Sequence, residues 1–263
     1  MYATTYVKAK DVADAVSHLS GADEGKLLAG GQTLIPTMKQ RLAATDCLVD
    51  LADTGLAGIS DEGGSIRIGA MTRHVEVETS ELVKAAIPAL AALAGGIGDR
   101  QVRNCGTIGG SVANNDPSAC YPSALMALGA TIHTDKRDIA AADYFTGMFE
   151  TALDEGEVIT AVSFPKPETA AYVKFPNPAS RYAMVGVFVA KTGSGVAVAV
   201  TGAGQDGVFR HDGLEAALNG FFSADAVEGV SIDEGGLMSD MHASADYRAH
   251  LITQMTKRAV AAC

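Results

Sequence analysis

Apolar positions along the first forty residues change period twice. Val12, Ala15, Val16 and Leu19 recur at helical spacing behind Asp11, a capping residue type, so a helix is expected there. A short strand, Lys26–Ala29, runs into Gly30 and Gly31, and a second helix is expected over Leu34–Arg41 with Thr33 as its N-cap. Strand patterns follow at Cys47–Leu51 and Ile66–Gly69, a Thr-capped helical start at Thr72–Glu78, and a proline-led helix at Pro88–Leu93. Six glycines then fall within the sixteen residues 95–110, with Asn104 among them and Asn114, Asn115, Asp116 and Pro117 just after, a pattern that predicts a long binding loop. Helical Pro122–Leu128, extended Thr131–His133 and alternating Glu157–Phe164 lead to Pro165 and Pro167, where a domain boundary is expected. Beyond it, strands at Tyr172–Phe175, Ala183–Lys191 and Gly195–Thr201 precede helices around Leu214–Leu218 and over Asp246–Ala262, an α+β arrangement.

The chain's 263 residues suffice for two domains with real cores. Its longest apolar runs, such as Ala183–Ala190, are far below the ~20 residues of a membrane-spanning helix. Twenty Lys and Arg against 31 Asp and Glu give a net charge of −11, which argues against nucleic acid or anionic lipid as the main partner. Met1–Lys10 has neither the basic start nor the apolar core of a secretory signal, so a cytoplasmic protein is expected. The four cysteines lie far apart without CxxC spacing, which excludes a zinc site or an iron–sulfur cluster held by this chain alone. The six histidines show no i, i+4 metal pairing, and none adjoins an obvious nucleophile.

Chemistry is carried instead by two glycine turns, Ala29-Gly30-Gly31-Gln32-Thr33 and Thr107-Ile108-Gly109-Gly110-Ser111. Backbone N–H groups at such a turn point outward and hold phosphate without a lysine, so two turns converging could clasp a diphosphate. Neither segment has the G-x-G-x-x-G of the common dinucleotide fold or the G-x-x-x-x-G-K-[ST] of a P-loop.

These turns, read within Ala29–Pro36 and Gly98–Ser111, together with Phe145–Thr151, Gly156-Glu157, Lys174-Phe175, Ala179–Ala183 and Asp246-Tyr247-Arg248, resemble the FAD-binding medium subunits of molybdenum hydroxylases, above all those of aerobic carbon monoxide dehydrogenases. The resemblance implies an α+β fold: a two-subdomain FAD-binding domain of the vanillyl-alcohol-oxidase (PCMH) type over residues 1–165, and a C-terminal flavoprotein domain over 166–263. It implies that Ala29, Gly30, Gly31, Gln32 and Thr33, with Thr107, Gly109, Gly110 and Ser111, hold the FAD diphosphate, and that Gly106 also binds the cofactor. By the same likeness Leu28, Ile97 and Val102 lie against the cofactor, Val158 and Ile159 beside its ring system, and Lys174 at the flavin end. Tyr182 would shield the ring. Where many relatives carry an aspartate that contacts FAD, this chain has Cys120, a poor acceptor, so the contact would shift to Asp116 or Ser118.

The implied role is electron transfer from the [2Fe–2S] clusters of a small subunit, through FAD, to an external acceptor. A large subunit with molybdopterin would oxidise the substrate, in a dimer of heterotrimers, and no residue of this chain would be catalytic or ligate metal. Two other readings stay open on sequence: a stand-alone flavin-dependent oxidoreductase, and a scaffold subunit without FAD.

Overall fold

The computed structural model describes residues 1–263, and its elements fall into three packed regions. In the first, β1 (Thr5–Lys8), β2 (Gly25–Leu28) and β3 (Cys47–Asp50) form a parallel sheet in the order β1-β3-β2. Helix α1 (Val12–Ser20) crosses between β1 and β2, and Asp11 caps it by accepting from Asp14 N at 2.8 Å. Ala9, Ala15, Val49 and Leu51 make a small core beneath it. Helix α2 (Leu34–Lys39) follows the first glycine turn. Thr33 does not cap α2 with its side chain; its backbone is already helical, at φ −103° and ψ −51°, which turns the hydroxyl away from the first amides. Strand β1 has no apolar alternation strong enough to read beforehand, being mostly exposed at the sheet edge.

The second region is a five-stranded antiparallel sheet in the order β4-β5-β10-β6-β7, built from β4 (Ile59–Asp61), β5 (Ser65–Gly69), β6 (Thr131–Thr134), β7 (Asp138–Ala140) and β10 (Ile159–Pro165). Six helices are inserted between β5 and β6: α3 (His74–Thr79), α4 (Glu81–Ala86), α5 (Pro88–Gly95), α6 (Arg100–Cys105), α7 (Ile108–Asn114) and α8 (Tyr121–Leu128). Thr72 is not the cap of α3. Its hydroxyl is occupied by both backbone groups of Gly58, and Glu76 closes the helix start by accepting from Arg73 N at 2.8 Å.

The glycine-rich stretch is also not the open loop its composition suggests. Asp99 caps α6 by accepting from Val102 N, and Thr107 caps α7 by accepting from Gly110 N. Two local caps suffice to make two short helices of a sequence without apolar periodicity.

A short helix α9 (Ala141–Tyr144) and the hairpin of β8 (Phe145–Gly147) and β9 (Glu150–Thr151) lead back to the sheet, and Asn115 clamps that hairpin by donating to Gly147 O and Glu150 O.

In the third region β11 (Thr169–Pro176), β12 (Ala183–Thr192), β13 (Gly195–Gly204) and β14 (Gly207–Arg210) form an antiparallel sheet in chain order. Val185, Val187 and Val189 of β12 face a core made with α10 (Asp212–Gly220) and α11 (Ala245–Ala262). Phe188 and Ala190 face the other way, into the large core that also holds Tyr121, Leu125 and Phe164. The uninterrupted apolar run Ala183–Ala190 is therefore a strand buried on both faces. The third region shares its core with the second across a junction of only three residues, 166–168. No helix is long and apolar enough to cross a membrane.

Arg248 of α11 ties this region together from inside. Its guanidinium donates to Met184 O at 2.6 Å, Gly202 O at 2.7 Å and Asp240 Oδ2 at 2.7 Å, with the side chain 3% exposed. Replacing Arg248 with alanine strands two buried carbonyls and is expected to cost about 3 kcal/mol. Urea denaturation of the variant checks this, and a midpoint equal to wild type contradicts it.

Candidate functional site

A cleft of about 880 Å³ runs where the three regions meet. The first glycine turn forms one wall. None of the six consecutive amides from Ala29 to Leu34 donates to a protein acceptor, and all six residues line the cleft. Gly31 makes the turn possible, its φ of +67° lying in the left-handed region. Gln32 does not extend toward a ligand through its amide nitrogen; Nε2 folds back on Gly30 O at 3.0 Å and holds the turn's shape.

The second turn lies directly against the first. A Cβ on Gly30 would collide with the Cys105 carbonyl and come within 2.6 Å of Gly106 Cα, and one on Gly110 would sit 3.5 Å from Ala29 Cβ. Convergence of the two turns, which the sequence reading requires, is thus present. The division of labour differs from the expectation that both supply free amides. Ile108 N donates to Thr72 O, Gly109 N to Ala70 O at 2.8 Å, and Gly110 N to the Thr107 hydroxyl. These amides serve the fold because α7 must be pinned to the end of β5. What the second turn offers the cleft is closeness and the unengaged Ser111 hydroxyl.

Other expected residues sort by position. Ile97, Val102, Gly106, Thr107, Asp116, Cys120, Val158, Ile159, Lys174 and Tyr182 all line the cleft. Leu28 does not; it borders a shallow depression behind the turn, against Ile35 and Pro36, because strand alternation gives the cleft side to Leu27.

Lys174 Nζ donates to Gly96 O at 2.6 Å and Arg181 O at 2.9 Å, and stands 3.6 Å from Cys120 Sγ. Its three donors are committed, so it brings charge to the cleft rather than a free hydrogen bond. Tyr182 is 49% exposed at the lip, its hydroxyl pKa raised by burial and by the neighbouring Asp116 and Cys120. Asp116 is itself pushed upward by burial, although Ser118 N donates to it at 2.8 Å. Pro117 and Ala119 are held by the Thr201 hydroxyl of β13, which fixes the segment carrying Asp116 and Cys120.

Sequence reasoning passed over His74. It is 5% exposed, lines the cleft beneath Gly106, and stacks obliquely on Tyr121 at 5.4 Å between ring centroids. Burial, with the charge of Arg103 second, lowers its pKa to about 4. A lone histidine after Met71-Thr72-Arg73 carries no motif, so only the packing reveals it.

A family model described as the FAD binding domain in molybdopterin dehydrogenase matches residues 2–167. The chain is 34% identical to the carbon monoxide dehydrogenase medium chain of Afipia carboxidovorans over 272 aligned residues, covering 97% of this chain and 94% of that one. It is 33% identical to the nicotine 6-hydroxylase medium subunit of Paenarthrobacter nicotinovorans, covering 98% and 96%. A crystal structure of Cu,Mo-CO dehydrogenase in its cyanide-inactivated form superposes on it with a TM-score of 0.91 at 32% identity, covering 99% of this chain and 97% of that one.

The chain belongs to the family of FAD-binding domains of molybdopterin dehydrogenases. Within it, the likeness extends through the C-terminal region and makes the protein an FAD-binding medium subunit of the molybdenum hydroxylases, similar to that of carbon monoxide dehydrogenase and an oxidoreductase component. The residues present fit the cofactor on their own terms: a row of unpaired amides, and a contact at Gly30 that any side chain would fill.

Substituting Gly30 with alanine forces the two turns apart and is expected to weaken FAD binding at least tenfold. Gly109→Ala, whose new methyl would meet Ala70 within the fold, is expected instead to lower thermal stability. Flavin titration and thermal melts of both variants distinguish the two effects; equal FAD affinity in Gly30→Ala and wild type contradicts the assignment.

Because the His74 value of about 4 lies below its ordinary 6.5, the unfolded chain binds the extra proton between those values. Stability of flavin-free protein is therefore full above pH 6.5 and falls toward pH 4, by about 3 kcal/mol relative to His74→Leu. Parallel pH profiles for the two proteins in urea melts would contradict this.

Proposed function

We propose that this chain is the FAD-carrying electron-transfer subunit of a molybdenum hydroxylase of the aerobic carbon monoxide dehydrogenase type. It takes electrons from the [2Fe–2S] clusters of a small subunit and passes them to an external acceptor, while a molybdopterin-containing large subunit oxidises the substrate. FAD when bound supplies the electron-carrying chemistry, and the chain's own residues supply position and field. The single observation that carries the reading is the row of unpaired amides, Ala29–Leu34, facing a cleft whose far end holds Lys174, Cys120 and Tyr182.

In this reading the amides of Ala29–Leu34 take the diphosphate, with Gly106, Gly110 and Ser111 closing against them. Ile97, Val102, Val158 and Ile159 supply apolar walls that exclude water. Gly109 and Thr107 shape the second turn, Tyr182 covers the ring from the lip, and the fixed ammonium of Lys174 favours negative charge at the flavin end. Cys120, with Lys174 beside it, replaces an acidic contact, so Asp116 provides the carboxylate on this wall.

Residues 1–165 act as the FAD-binding domain, and residues 166–263 as a C-terminal domain that buttresses the Pro117–Cys120 wall through Thr201. The complex is a dimer of heterotrimers in the cytoplasm. Similarity does not point to a substrate: the chain is as close to a carbon monoxide enzyme as to a nicotine hydroxylase, at 34% and 33%.

Isolation of the protein from its native cells under gentle conditions is expected to yield one FAD per chain, about four iron atoms per FAD and molybdenum in a co-eluting complex. A chain that elutes alone with FAD and oxidises an organic substrate by itself would contradict the subunit role. A colourless chain that FAD cannot reconstitute would contradict the cofactor role.

A further inference from the structure

His74 is the one buried titratable side chain in the cleft wall whose polar atoms find no partner in the protein. Its Nδ1 is enclosed without a hydrogen bond, and Nε2 has none either. The residue is more than nine-tenths buried, and Nδ1 is cut off from solvent while Nε2 is not enclosed. Its backbone explains the placement: His74 N donates to Gly106 O at 3.0 Å, which binds the start of α3 to the link between α6 and α7. The ring edge carrying Nε2 and Cδ2 lies under Gly106, where an added Cβ would approach Nε2 to 2.6 Å. Gly106 is also the residue whose Cα meets Gly30. The imidazole edge therefore reaches the point at which the two glycine turns converge.

We propose that His74 is a cofactor-binding residue, donating its Nε2–H to an oxygen of the FAD diphosphate and completing the cradle formed by the Ala29–Leu34 amides. The chemistry follows from what surrounds the ring. A neutral imidazole has one N–H, and placing it on Nδ1 would enclose a donor that has no acceptor in reach. Nε2 is the ring nitrogen that is not enclosed, so a proton there sits on the edge beneath Gly106 in the wall of the cleft. Arg103 does not compete for the role, since its guanidinium is taken up by Glu78 at 2.8 Å and by Ile97 O. A neutral donor adds a directional hydrogen bond to a dianionic group without bringing a full charge into the buried wall. Tyr121 stacks on the ring and fixes its plane. The inference rests on the proposed FAD role and deepens it.

The test uses the full chain and FAD itself. Dissociation constants from flavin fluorescence are measured for wild type, His74→Leu and His74→Gln, with thermal melts as the control for folding. Glutamine places an N–H near the Nε2 position; leucine fills the space without a donor. The expected result is a tenfold or greater loss of FAD affinity in His74→Leu, recovery to within about threefold of wild type in His74→Gln, and a changed ³¹P shift of bound FAD in the leucine variant only.

Equal affinities in all three proteins overturn the proposal, as does an equal loss in both variants accompanied by lowered melting temperatures, which would mark His74 as packing. If His74→Leu does not fold, ¹⁵N spectra of wild-type histidine decide: the Nε2 resonance of His74 must move on addition of FAD, and an unmoved resonance overturns the proposal. Wild type that binds no FAD at all would instead remove the cofactor role on which the proposal stands.

Discussion

Backbone amides must find acceptors, and six in a row that find none within the protein constrain everything around them. Between β2 and α2 the chain turns through Gly31 along the wall of a cleft, and no carbonyl or side chain meets its N–H groups. Water can satisfy such a row, but only an anion uses its shared polarity. The rest of the site can be understood as protecting that arrangement. Gln32 braces the turn from within, the Cys105–Gly106 backbone closes against Gly30, and α7 is pinned by its own amides so that Gly110 stays beside Ala29.

The three regions contribute unequal things to this cleft. The small parallel sheet presents the free amides, and the five-stranded sheet with its inserted helices provides the opposing turn, the apolar walls and His74. The C-terminal sheet contributes few lining residues yet holds two of the segments that define the far end. Thr201 fixes the Pro117–Ala119 carbonyls, and Lys174 on β11 joins Gly96 to Arg181 across the boundary. Since Phe188 and Ala190 are part of the large core, the C-terminal region is a structural necessity of the cleft's geometry rather than an appendage.

Much of this was legible in the amino-acid sequence where local rules act alone. Asp11 with its helical apolar spacing, the doubly buried strand at Ala183–Ala190, and the glycine turn at Ala29–Thr33 each announce themselves by composition and period. What escaped reading was competition for the same groups. Thr72 and Thr33 have the chemistry of caps, but Gly58 engages one and the other already adopts helical backbone angles. Thr107 and Ala70 absorb amides of the second turn that glycine content alone suggests are free. Residues 95–110 look irregular because two local caps, not apolar periodicity, make their helices. Leu28 and Leu27 differ only by strand parity, and a lone histidine at position 74 has no sequence neighbour that marks its role.

The account turns on which amides meet the cofactor, and amide resolution answers it. In ¹H–¹⁵N spectra of the isotopically labelled full chain titrated with FAD, the largest downfield shifts should fall on Ala29–Leu34, while the amides of Ile108 and Gly109, already engaged by Thr72 and Ala70, should hold their hydrogen-bonded positions. Shifts centred on Ile108–Gly110 with the Ala29–Leu34 amides unmoved would contradict it.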